Sequence, residues 1–150
     1  DVNTRQITKT LPGAKGAMAI RPTDDWDLFW LTAPADNKLL LMNPRTGSIK
    51  TSIDVPGEPH GLVISPDGKT VYVGQRGLNQ IAKIDTESRK IIQTAPLGKR
   101  PDMIAISSDG KFIYVAIRDE NQLAIVSAAD LSVKSKVSTD GETHGVAFRE

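Results

Sequence analysis

The chain has 150 residues, 39% hydrophobic and 25% charged, which suits one folded domain rather than a disordered segment. With 19 Lys and Arg against 18 Asp and Glu, the net charge is +1 and no long basic run appears, so no nucleic acid partner is implied. Cysteine is absent, which excludes disulfides, thiolate nucleophiles and Cys-ligated metals, and no apolar stretch approaches the ~20 residues of a membrane-spanning helix.

In chain order, residues 5–9 read as a lone short strand, Arg-Gln-Ile-Thr-Lys. Four more strands are expected at 17–20, 28–31, 38–42 and 49–53. The hairpin at 22–27 in this first group reads as a loop longer than its later counterparts. The next group is cleaner: 61–65, a Pro66-Asp67-Gly68 turn, 70–74, 80–85 and 90–94. A third group follows at 103–107, a Ser108-Asp109-Gly110 turn, 112–116, 122–126 and 133–137. Residues 144–148 then match the first strand of a group that goes no further.

The groups keep a common step. Ile7, Ile49, Ile91 and Val133 lie 42 residues apart, as do Asn37, Asn79 and Asn121, and the bulky Trp30, Tyr72 and Tyr114. A period near 40 built from four short strands is the sequence signature of a β-propeller blade. The expected fold class is therefore all-β, with blades of four antiparallel strands. Segment 1–11 is read as the last strand of a preceding blade, 12–55, 56–97 and 98–139 as blades, and 140–150 as the first strand of a further one. Propellers close with about four to eight blades, so three leave the ring incomplete. The bare apolar flanks are expected to be covered by the rest of the propeller or by a copy of the chain. Opening on Asp1 rather than Met is what a removed secretory leader or a cut would leave.

Gly57-Glu-Pro-His-Gly61, Ser65-Pro-Asp-Gly-Lys69, Tyr72-Val73, Asn79 and Ile84-Asp-Thr86 together resemble the YVTN-type β-propeller repeat. The third group repeats Gly98-Lys-Arg-Pro101, Ser107-Ser-Asp-Gly-Lys111, Tyr114-Val115 and Asn121, and departs at Ile125-Val126-Ser127. In the first group Trp30 stands for Tyr and Asn43-Pro44 for Asp-Thr. The resemblance implies a periplasmic or cell-surface protein of a prokaryote that binds a protein, glycan or small ligand through loops and channel mouth. It implies as an alternative the propeller portion of a redox enzyme that uses a transition metal or haem. More weight falls on a non-catalytic role without cofactor, because fold alone does not assign chemistry.

His60 and His144 are the only histidines, and Asp102 holds the same repeat position between them. Each opens the innermost strand of its blade, with Gly16 read as the equivalent in the first. His60, Asp102 and His144 should then share one channel mouth, where imidazole and carboxylate could hold a ligand or a metal. Radial divergence between neighbouring blades argues against convergence on one metal, and rim residues that hydrogen-bond across junctions are the competing reading. Arg76, Lys99, Arg100 and Arg118 form a second candidate, a modest anion-binding patch on the loop side, where ordinary solvated residues are the alternative. Asp24, Asp25 and Asp27 gather three carboxylates in one turn, a poor calcium cage beside the six to eight oxygens that ion takes.

Overall fold

The computed structural model describes residues 1–10 and 14–149, so the expected boundary between 11 and 12 falls outside the described residues. Their strands form three antiparallel sheets of four, each a meander in sequence order. The first holds β1 (Ile20–Pro22), β2 (Phe29–Ala33), β3 (Lys38–Met42) and β4 (Ile49–Asp54). The second holds β5 (Pro59–Ile64), β6 (Thr70–Gln75), β7 (Gln80–Asp85) and β8 (Lys90–Pro96). The third holds β9 (Pro101–Ile106), β10 (Phe112–Ile117), β11 (Gln122–Ser127) and β12 (Val133–Ser138). These are propeller blades in an arc, and no sheet closes on itself.

Each β1–β2-type hairpin is closed by the same side-chain device. Ser65 Oγ donates to Asp67 Oδ1 (2.5 Å), and that carboxylate accepts Lys69 N–H (3.1 Å). Ser107 and Asp109 repeat it at 2.7 Å, and the Ser107 hydroxyl holds the Asp109 carboxyl down to about 2. Thr23 and Asp25 repeat it again at 2.6 Å. The first hairpin is thus no longer than its siblings: Thr23 N–H bonds Leu28 O just as Ser65 N–H bonds Thr70 O, over equal spans. What differs is one residue. Trp26 takes the positive φ (60°) that Gly68 (70°) and Gly110 (71°) take in the later copies, and its ring meets Phe29 edge-on.

Blades are stapled to one another by the asparagines. Asn37, Asn79 and Asn121 each end a one-turn 3-10 segment in the left-handed conformation (φ 52°, 54° and 52°). Asn37 Oδ1 accepts Glu58 N–H and Asn79 Oδ1 accepts Arg100 N–H, both at 3.0 Å and both in the lead-in to the next blade. Each of these side chains thus bonds backbone one blade on.

Burial falls off at both ends of the arc. Leu62 and Ile104, which face the preceding blade, are fully buried, whereas the corresponding Ile20 is 50% exposed. Ile53 faces the following blade and is 5% exposed, while the equivalent Val137 is 50% exposed. Trp30 and Tyr72 are both buried, and Tyr72 Oη donates to Ala128 O in the third blade. Tyr114, one period after Tyr72, is only half-buried, because it has Phe148 (centroids 5.6 Å apart) where a blade would lie. Residues 5–9 and 144–148 form no strand. A strand is defined by its ladder, and neither segment has sheet neighbours to supply one.

The inner strands set the tightest contact. A Cβ added at Gly61 would lie 2.2 Å from Asp102 O. Gly61→Ala should therefore force β5 and β9 apart and destabilise by more than about 2 kcal/mol, while Gly141→Ala, with open space around it, should be nearly neutral. Urea midpoints of the two variants measure this. Equal midpoints would show that the blades do not meet at Gly61.

Candidate functional site

The innermost strands carry an irregularity that aims the candidate residues. Between Pro59↔Gln75 and Leu62↔Val73, two residues of β5, His60 and Gly61, face the single Gly74 of β6. Between Ile117↔Pro101 and Val115↔Ile104, Asp102 and Met103 likewise face Ala116. These are β-bulges, which re-aim a side chain and recur beside functional sites. The same register pairs Ile20 with Leu31, so the first-blade equivalent of His60 is Met18 and not Gly16.

His60 and Asp102 meet at the junction of the second and third blades. His60 Nδ1 lies 2.9 Å from Asp102 Oδ1, with the side chains 2% and 0% exposed. The contact lacks hydrogen-bond alignment, and both His60 nitrogens, Asp102 Oδ1 and Arg76 Nε are buried without a hydrogen-bond partner. Asp102 Oδ2 accepts Arg76 Nη2 at 2.5 Å. Arg118 Nη1 and His144 Nε2 both stand 3.9 Å from that oxygen, and Arg118 Nε also pairs with Glu142. His60, Asp102 and His144 therefore converge, which the radial argument did not foresee. Close approach at the inner strands outweighs divergence further out.

The expected anion patch divides. Arg76 and Arg118 belong to the Asp102 network, Arg100 stands 4.0 Å from Asp119, and Lys99 is exposed. Their charge is largely met by neighbouring carboxylates. The arrangement also fits a metal poorly. Arg76 occupies the Asp102 oxygen nearest His144, and among the described residues no group of three His, Asp or Glu could hold an ion. Sequence reasoning missed the reach of Arg76 into this network. Its position in the repeat, shared with Arg118, was the available signal.

Burial pushes the His60 pKa below its usual value; the Asp102 carboxylate opposes this and the Arg76 guanidinium reinforces it. His60 is therefore neutral near pH 7, and the Asp102 charge is balanced by the arginines.

A cavity of about 360 Å³ opens beside this network at the junction of the first and second blades, walled in part by Met18, Pro34, Ala35, Glu58, His60 and Arg76. A larger groove of about 600 Å³ lies between the Ser65–Thr70 and Asp109–Phe112 turns, with Lys83, Lys111 and Lys134 on its walls.

Because the folded state binds the His60 proton less readily than the unfolded chain, stability should fall as pH drops below about 6.5 and level off below the folded-state value. The slope for one proton is at most about 1.4 kcal/mol per pH unit. Urea titrations from pH 7.5 to 5 should show it, and His60→Gln should flatten it. An unchanged slope in the variant would mean that another group titrates there.

A family model described as YNCE-like beta-propeller matches residues 45–149. Among solved structures, the chain is similar to hydrazine synthase of Kuenenia stuttgartiensis (21% identity, TM-score 0.79), covering 92% of this chain and 40% of that one. It is also similar to virginiamycin B lyase from Staphylococcus aureus (20%, TM-score 0.73, 87% and 45% covered). AztD of Citrobacter koseri gives 19%, a TM-score of 0.71, and coverage of 94% and 39%. The chain thus spans less than half the length of each of these structures. Sequence comparison with curated proteins gives no match.

Proposed function

The chain belongs to the YNCE-like β-propeller family, and from that premise we propose that it is the binding and scaffold portion of a propeller, taking a ligand at the hub through His60, Arg76, Asp102, Arg118 and His144. One observation carries this reading: His60 Nε2 and Arg76 Nε are buried without a partner, and both residues line an open cavity. Buried polar groups are ordinarily satisfied, so an orphaned set at a hub favours a site completed from outside. The arrangement suits binding more than catalysis. Arg76 and Arg118 tie up Asp102, and burial keeps His60 neutral, which fixes charge in place instead of moving a proton.

Nuclear magnetic resonance mapping tests the reading. The chain, labelled with ¹⁵N, is titrated with panels of metabolites, glycans and short peptides. Shifts should gather at residues 57–60, Arg76, Arg118 and 142–144. Ligands that bind only along β8 or β12 would overturn the hub assignment.

The scaffold half of the proposal rests on the bare flanks, where Ile20 and Val137 stand half-exposed although Leu62 and Ile104, which correspond to Ile20, and Ile53, which corresponds to Val137, are buried. Another blade of the same repeat is the partner these surfaces fit, from the rest of the propeller or from a second copy. Light scattering across a dilution series should show self-association of the isolated chain at micromolar concentration, weakened by Val137→Glu. A well-folded monomer throughout would count against it.

A further inference from the structure

The cavity at the hub exists because one arm of the repeat is missing. Arg76 begins the 3-10 segment after β6 and crosses the junction to Asp102 in the next blade. The residue 42 positions earlier is Pro34, which begins the equivalent segment after β2 and has no arm to extend toward His60. Ala35 follows it where the third blade has Asp119, and Met18 stands where the later blades have His60 and Asp102. The junction filled by a guanidinium between the second and third blades is hollow between the first and second.

What remains around the hollow is a pair of opposite charges on an otherwise apolar wall. Glu58 is fixed from both sides: its N–H bonds Asn37 Oδ1 at 3.0 Å, and its carbonyl accepts Arg76 N–H at 3.2 Å. Its φ of 53° is a costly conformation for a residue other than glycine, adopted here because both neighbouring segments hold it. Glu58 thus carries its carboxylate at the rim, close to the start of the segment that carries Arg76. Arg76 lines the same cavity with its side chain 11% exposed, and His60 adds a buried, neutral imidazole whose Nε2 has no hydrogen-bond partner. Met18, Pro34 and Ala35 supply the apolar part.

We propose that this cavity binds a small zwitterion of the α-amino-acid class, its carboxylate toward Arg76, its ammonium toward Glu58 and a short apolar side chain against Met18, Pro34 and Ala35. The proposal rests on the hub reading above and adds the ligand class. Arg76 gives Nη2 to Asp102 but keeps Nε without a partner, so a ligand carboxylate can be met there while Glu58 takes an ammonium; a plain anion or a plain cation answers only one of the two. The volume agrees: at roughly 30 Å³ per water-sized unit, a 360 Å³ cavity admits about a dozen non-hydrogen atoms, enough for a branched aliphatic amino acid.

Isothermal titration calorimetry of the 150-residue chain with three related probes decides the matter. L-valine should bind; isovalerate, which lacks the amine, and isobutylamine, which lacks the carboxylate, should each bind at least about tenfold more weakly. Glu58→Gln, an exposed change at fixed size, should remove the preference for valine over isovalerate. Ala35→Phe should fill the cavity and abolish binding of all three, with folding checked by circular dichroism. If isovalerate binds as well as valine and Glu58→Gln changes nothing, the zwitterion class is wrong while a hub anion site survives. If no probe binds but the metabolite panel still shifts residues 57–60 and Arg76, the class fails and the hub reading stands. If neither experiment finds binding at these residues, both fail.

Discussion

Everything at the hub follows from the contact between β5 and β9, where a glycine lets two backbones approach within a side chain's thickness. Gly61 has no Cβ, and the place where one would sit is 2.2 Å from the Asp102 carbonyl. That proximity drives Asp102 into complete burial, and a buried carboxylate must be paired or lose its charge. Arg76 supplies the pair by crossing from the second blade to the third. The ion pair therefore follows from packing and does not cause it. Its contribution is specificity: an unpaired carboxylate at this junction would cost about 3–5 kcal/mol, so the blades have one tolerable register.

The junctions are directional. Each blade sends an aromatic side chain and an asparagine forward and receives an inner strand in return. Tyr72 Oη reaches the Ala128 carbonyl, and Asn79 Oδ1 accepts the Arg100 N–H. The third blade has the same equipment in Tyr114 and Asn121. Its Tyr114 finds only Phe148, and its Val137 stays half in water. Stability in such an array is a sum over neighbours, so the terminal blades are weaker than the central one for want of a second junction.

The 42-residue step made strand order and blade count legible in the sequence, because every copy must solve the same packing problem with the same residue types. It made Asn37, Asn79 and Asn121 legible as one repeated position, yet not the blade they bind. That information is tertiary. Several local readings failed for identifiable reasons. Trp26 hides a turn that Gly68 and Gly110 announce, since the Thr23–Asp25 hydrogen bond can hold a positive φ without the usual glycine. The first-blade equivalent of His60 reads as Gly16 in the sequence, two residues before Met18, because an apolar residue at the start of a short strand gives no register of its own.

The hub site was partly legible for the opposite reason. His60, Asp102 and His144 caught the eye as departures from uniformity at one repeat position, and they do converge. What composition at one position could not reveal was that a second varying position, 34, 76 and 118, reaches the first from the neighbouring blade. Where that second position is arginine the junction is closed by an internal cation; where it is Pro34 a cavity opens. In a fold whose blades share one framework, pairs of positions that vary together across a junction decide where solvent or ligand can enter. The inner strands hold the frame, and the residue at 34 leaves the opening.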